Sequence, residues 1–236
     1  MRMEFYYSFK YTVLLVSMLA VLAGRMASAA YPESRLPLAT CSAIVVLSAL
    51  LTVINHRKFR VAAIVLAVPA IMGTFGGGGG TGKAFEFSAV VGQLFGIVFL
   101  SFTVGIILRD LIRHRQVTFD SLVGTFCGYI LIGAIWSEMY FFLEYIHPGT
   151  LHFAQVNPRD TFETAPDRWL LIQYFSFTTL STLGYGDISP VSPIARTLAC
   201  LEAICGQFYL AVLVAGLVSV RASAFLSNDD APPHGS

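Results

Sequence analysis

Long apolar runs constrain this chain more than any other feature. A helix that crosses a bilayer takes roughly 20 mostly apolar residues. Six runs come near that length: 5–23, 37–54, 61–75, 85–108, 119–146 and 194–220. A further run, 169–181, is too short to cross and lies between the last two. Charged residues gather in short clusters between the runs, the layout of membrane spans separated by loops. Composition agrees, with 56% hydrophobic and 12% charged residues and a mean hydropathy of +0.69. A soluble domain carries about twice that charged fraction. Hydrocarbon offers no partners to backbone N–H and C=O groups, so each span must satisfy its own as a helix. The expected fold class is an all-α membrane protein with six transmembrane helices. The net charge of +1 leaves no basic excess for a nucleic-acid partner.

The loops set the orientation. His56, Arg57, Lys58 and Arg60 join the second and third runs, and Arg109, Arg113, His114 and Arg115 join the fourth and fifth. Arg2 and Lys10 stand at the start of the first run, and Arg221 ends the last. Loops rich in Lys and Arg stay cytoplasmic. Both termini are therefore expected in the cytoplasm, with 24–36, 76–84 and 147–168 facing outward. Ala27-Ser28-Ala29 after the first run also fits a signal-peptide cleavage site. A retained helix is favoured because the run reaches back to Phe5 and exceeds the usual signal length. The tail 227–236 holds Asp229, Asp230, Pro232, Pro233 and Gly235 and reads as disordered. No ligand-binding domain is expected after the last span. The cysteines Cys41, Cys127, Cys200 and Cys205 all lie inside apolar runs with no metal-ligand spacing, so they are expected as buried small side chains.

One segment carries chemistry: Thr178-Thr179-Leu180-Ser181-Thr182-Leu183-Gly184-Tyr185-Gly186-Asp187. It follows the short run and precedes a full span. Irregular backbone at membrane depth is tolerated only where it is buried in protein or lines a water-filled path. Gly184 and Gly186 permit backbone angles that side-chain-bearing residues avoid. A threonine, an apolar residue and then Gly-Tyr-Gly, flanked by Asp187 and a preceding half-helix, resembles the selectivity filter of the potassium-channel pore-loop family. The resemblance covers about 119–221.

By that resemblance, the short run is a re-entrant pore helix, and four copies of the chain surround one axis as a homotetramer in membrane lipid. The resemblance also implies roles for single residues. The carbonyls of Thr182, Leu183, Gly184 and Tyr185 replace the water shell of potassium. The Thr182 hydroxyl adds the innermost site, and the Gly186 carbonyl lies at the outer mouth. Tyr185 packs behind the filter, and Asp187 sits at its outer end. The family usually has Val where Leu183 stands; both are apolar. Its aromatic pair is matched by Tyr174-Phe175. An acidic residue that some members place behind the filter is replaced by Thr178, which bears on filter inactivation. Gly206, 21 positions after Tyr185, stands at the spacing of the family's inner-helix hinge. Close helix packing is an alternative role, and the two are compatible. No cofactor is expected beyond potassium ions in the filter.

The residues around this segment extend the reading. Pro166-Asp167 suits the first turn of the pore helix, whose negative dipole end then favours a cation at the membrane centre. Gln207, Leu210, Val214 and Val218 come at helical spacing as cavity-lining positions, Gln207 as a polar ring. Glu202 is a carboxylate inside a span, which is costly and usually functional. It is expected either to support the filter together with Thr178 or to sit near the aqueous end of the helix. Glu138 poses the same question. Residues 1–115 form a peripheral four-helix domain, 116–226 the pore domain and 227–236 the tail.

The first four runs do not read as a voltage sensor. The fourth, 85–108, has no basic residue inside it, whereas charge must cross the field for voltage to gate a pore. Weak or no voltage gating is expected, and the arrangement resembles bacterial inner-membrane channels with a divergent amino-terminal helical domain. Residues 77–83 imitate a nucleotide-binding loop, but Ala84 stands where Ser or Thr should hold magnesium. A flexible outer loop is the better reading, and His147 and His152 read as solvated. The expected function is passive potassium conduction without an enzymatic step. The alternatives are a non-conducting membrane sensor or regulatory subunit and a poorly selective cation channel.

Overall fold

The computed structural model describes residues 10–30, 38–54, 58–76, 83–113, 119–154 and 165–229. The helices are α1 (Lys10–Ala30), α2 (Leu38–Ile54), α3 (Arg60–Gly76), α4 (Lys83–Arg113), α5 (Phe119–Ile146), α6 (Ala165–Leu180) and α7 (Pro193–Asp229). Two short strands, β1 (Leu151–Phe153) and β2 (Ile188–Pro190), complete the chain. Stretches within α4, α5 and α7, at Val90–Leu111, Leu122–Ile146 and Pro193–Leu213, are long and apolar enough to cross a membrane. Three more apolar helices, Tyr11–Ala23, Ala43–Val53 and Arg60–Gly73, are shorter. The protein is thus a mostly helical membrane protein.

Local chemistry sets the helix starts around the site. Pro166 falls in the first turn of α6, where a missing amide costs nothing. Pro193 opens α7, and Ser192 caps it by accepting the Ala195 N–H at 3.2 Å. α7 continues to Asp229, so the first residues of the expected tail are helical; 230–236 lie outside the described residues. α1 runs through Ala27-Ser28-Ala29 to Ala30.

The chain buries two apolar clusters. One joins α1, α2, α3 and α4 to α5 through Leu14, Val53, Phe99, Ile107 and Leu131. There α3 and α4 cross closely enough that a Cβ on Gly92 would lie 2.3 Å from the Gly73 Cα. Buried hydroxyls do not disturb this core, because Thr52 and Thr103 donate to carbonyls of their own helices, Ser48 and Phe99. The second cluster lies under α6 and holds Tyr140, Leu151, Ile172, Phe175, Ile188 and Ala195. The Tyr140 and Phe175 rings meet edge to face at 5.0 Å.

The all-α expectation holds in its coarse form, a mostly helical protein, with one short strand pair added. β1 and β2 pair antiparallel, with Leu151 opposite Pro190, His152 opposite Ser189 and Phe153 opposite Ile188. The chain leaving 178–187 is extended, and its backbone groups need partners. The loop that follows α5 supplies them, and the Ala154 N–H adds a bond to the Asp187 carbonyl at 2.8 Å. That loop is itself fastened by Glu144, almost fully buried. Its carboxylate accepts the Gly149 and Leu151 amides at 2.7 and 3.1 Å and pairs with Arg168 at 3.2 Å.

Other expectations fare differently. Cys127 is buried, but Cys200 and Cys205 are exposed, on a face of α7 that no described residue covers. The Cys41 side chain and the loop 77–82 lie outside the described residues. His147 and His152 are exposed. The basic residues of α4 are Lys83 at its start and Arg109 and Arg113 near its end.

Candidate functional site

α6 ends at Leu180, and the chain turns back on the helix that delivered it. The last carbonyls of a helix have no intrahelical donors. Here the segment beyond the helix provides them. Ser181 N–H donates to Phe177 O at 3.1 Å and Thr182 N–H to Thr179 O at 2.9 Å. Leu183 and Gly184 both donate to Thr178 O, at 2.8 and 3.1 Å. Thr178 therefore holds the segment through its carbonyl. Its hydroxyl is turned to Phe175 O at 2.9 Å, within its own helix.

Backbone angles then alternate. Thr182, Gly184 and Gly186 have φ of 58°, 52° and 82°, while Leu183 and Tyr185 between them stay on the ordinary side. Alternation of left- and right-handed residues gathers successive N–H groups on one side, which places the C=O groups on the other. A strand would instead point its carbonyls alternately to either side. The amides of Leu183 and Gly184 face α6, so the carbonyl row faces away from it. Sequence reasoning assigned the left-handed positions to the two glycines and missed Thr182. A β-branched residue in that region is rare, and only the period-two spacing of 182, 184 and 186 hints at it.

The back of the segment is built from side chains. The Tyr185 ring stacks on Tyr174 of α6, with centroids 6.4 Å apart and planes within 6°. Tyr174 lies within electrostatic reach of Asp187, which accepts the Ile188 amide at 3.1 Å. In the single chain Leu183 and Tyr185 are 56% and 68% exposed.

α7 grips α6 along one stripe. Glu202 is fully buried, accepting the Tyr140 hydroxyl at 2.8 Å and lying 2.5 Å from Ser176 Oγ. One turn on, a Cβ at Gly206 would lie 2.1 Å from the Leu180 carbonyl oxygen. Gln207 Nε2 reaches Thr182 Oγ1 at 3.4 Å. Leu210 is exposed, and the side chains of Val214 and Val218 lie outside the described residues. α7 passes through Gly206 as one uninterrupted helix.

Residues 125–221 match the ion channel family model. Part of the chain is 48% identical over 48 residues to the inward rectifier potassium channel Kirbac3.1 of Paramagnetospirillum magnetotacticum, covering 20% of this chain and 16% of that protein. It is also 31% identical over 80 residues to the two pore potassium channel c of Oryza sativa subsp. japonica, covering 34% of this chain and 18% of that protein. The chain matches less than a fifth of the length of either relative. No solved structure matches it. The chain thus carries an ion channel domain with potassium-channel homologues, and Thr178–Asp187 lies within that domain.

The ion channel domain is tied to the peripheral helices by Glu138 of α5. Its carboxylate accepts Gln93 Nε2 of α4 at 2.8 Å and Trp169 Nε1 of α6 at 3.2 Å. Gln93 also donates to the Glu138 carbonyl at 3.1 Å. The sequence marks the carboxylates Glu138 and Glu202. It gives no sign of Gln93, Tyr140, Trp169 or Ser176, because each partner lies on another helix.

Proposed function

We propose that this chain is one subunit of a homotetrameric channel that passes potassium ions passively and selectively across a cell (inner) membrane. One observation carries the reading: the amides of Thr182, Leu183 and Gly184 turn back to α6, and among the described residues no backbone donor reaches the carbonyls of 182–186. Such oxygens replace the water around potassium. One chain supplies one side of a ring, so four copies would close it around a common axis. The exposure of Leu183 and Tyr185 and the uncovered face of α7 fit neighbours at those positions. Thr182, Leu183, Gly184 and Tyr185 would hold the ions, and Gln207 would add a polar ring below them. Both termini would lie in the cytoplasm. Voltage gating would be weak or absent, since the basic residues of α4 stand only near its ends.

The test is potassium flux from liposomes carrying the purified protein, wild type against Gly184→Ala. Gly184 has a φ of 52°, which an alanine resists even though space for the methyl is open. Potassium flux well above sodium flux in the wild type, lost in the variant, is the expected result. Equal fluxes would favour a poorly selective cation channel. No flux from a well-folded tetramer across a range of voltages and pH values would favour a regulatory subunit.

A further inference from the structure

The contacts around Glu202 do not balance if its carboxyl is ionised. Ser176 has one hydroxyl hydrogen, yet its oxygen stands 2.9 Å from the Gly133 carbonyl and 2.5 Å from Glu202 Oε1. A carbonyl and a carboxylate are both acceptors. With Glu202 ionised, one of these two short oxygen–oxygen contacts holds no hydrogen. With Glu202 protonated on Oε1, every contact is filled. Glu202 donates to Ser176, Ser176 donates to Gly133, and Tyr140 donates to the other carboxyl oxygen at 2.8 Å.

The surroundings agree. Glu202 has no exposed surface. Among the described residues, the groups that face it are Tyr140 of α5 and Ser176 of α6, with Tyr129 of α5 in electrostatic reach. None of them carries positive charge, and an unpaired buried carboxylate is far costlier than a hydrogen-bonded neutral one.

We propose that Glu202 is held as a neutral carboxylic acid, and that its proton joins α7 through Ser176 to Gly133, positioning α6 and the segment that α6 holds. Glu202 touches neither the ion path nor the carbonyl row. It is a positioning residue that acts through Ser176, two residues before the Thr178 carbonyl on which Leu183 and Gly184 hang. The effect on selectivity rests on the proposed function; the state of the proton does not.

Infrared spectroscopy of the tetramer in lipid at neutral pH reads the proton directly. The carbonyl stretch of a buried protonated carboxylic acid is expected in the wild type and lost in Glu202→Gln. The amide of that variant can still donate to Ser176 and accept from Tyr140, so potassium flux and selectivity should be retained. Glu202→Ala leaves Tyr140 and Ser176 without their partner and should lower potassium selectivity about tenfold. Should that variant fail to assemble, Ser176→Ala breaks the same chain at its middle and is read the same way. An infrared carboxylic-acid band unchanged by Glu202→Gln overturns the proposal. So does loss of selectivity in a folded Gln variant. If the wild type itself shows no potassium preference, the proposed function fails while the infrared result still decides the proton.

Discussion

Gly206→Ala separates two roles that the sequence leaves open for this glycine. A methyl at this position would lie 2.1 Å from the Leu180 carbonyl oxygen, and 3.1 Å from both its carbonyl carbon and its Cδ1. A close carbon–oxygen contact is about 3.3 Å, so α6 and α7 must part by roughly 1.2 Å. The obstacle is backbone at the end of α6, which cannot rotate away. Overpacking of this kind costs roughly 1–3 kcal/mol. Against it, alanine gains up to about 1 kcal/mol of helix propensity over glycine. Because the clash is with backbone, the net expected is a loss of about 2 kcal/mol, or roughly thirtyfold in the folding equilibrium. Leu180 is two residues from Thr182, so selectivity should fall as well. The assays are detergent-driven unfolding and the ratio of potassium to sodium flux in liposomes. A free hinge gives the opposite sign, since alanine would then stiffen and stabilise α7. A variant as stable as wild type or more so, with unchanged flux, would refute the packing argument.

Two further predictions test neighbouring contacts. Gln207→Leu removes the donor 3.4 Å from the Thr182 hydroxyl. At about 1 kcal/mol for a net hydrogen bond, single-channel conductance should change by up to roughly fivefold; an unchanged conductance would discard the polar-ring role. Arg168→Met leaves the buried Glu144 carboxylate with its amide donors but without this cation. Because the Arg168 side chain is 23% exposed, the cost should be about 2 kcal/mol, below that of a fully buried pair. Adding Glu144→Gln should recover part of it in detergent-driven unfolding, and strict additivity of the two changes would contradict the pairing.

The parts of this molecule that read directly from sequence are those set by local pattern. The apolar run 119–146 and helix α5 have the same ends. Pro166 and Pro193 mark helix starts because a proline is free of penalty only there. Gly184 and Gly186 announce left-handed backbone because few other residues take it. What stayed hidden depends on distant partners. Thr182 is held at a φ of 58° by its bond to Thr179 and by its neighbours' bonds to Thr178, not by any preference of threonine. The β1–β2 pair joins residues 151–153 to 188–190, and nothing within either triplet requires the other. The burial of Glu202 likewise depends on where α5 and α6 place Tyr140 and Ser176. Periodicity within α7 cannot report that.

The order of these interactions explains how a loop with few side-chain bonds keeps a fixed shape. A carbonyl row that faces a cation must leave its oxygens free of protein donors. The segment therefore cannot be stiffened through those oxygens. Its amides and the side chains behind it are what remain. The amides of Leu183 and Gly184 are spent on a single carbonyl, that of Thr178. Tyr185 leans on Tyr174, which lies within electrostatic reach of Asp187 at the far end of the same segment. Every one of these supports stands on α6. Whatever fixes α6 therefore fixes the row of oxygens, and α6 is held on both flanks. On one side are Glu202 and Gly206 of α7; on the other is Glu138, shared with Gln93 of α4. Through that second contact, α4 and α6 share one carboxylate of α5, with no residue of α7 between them.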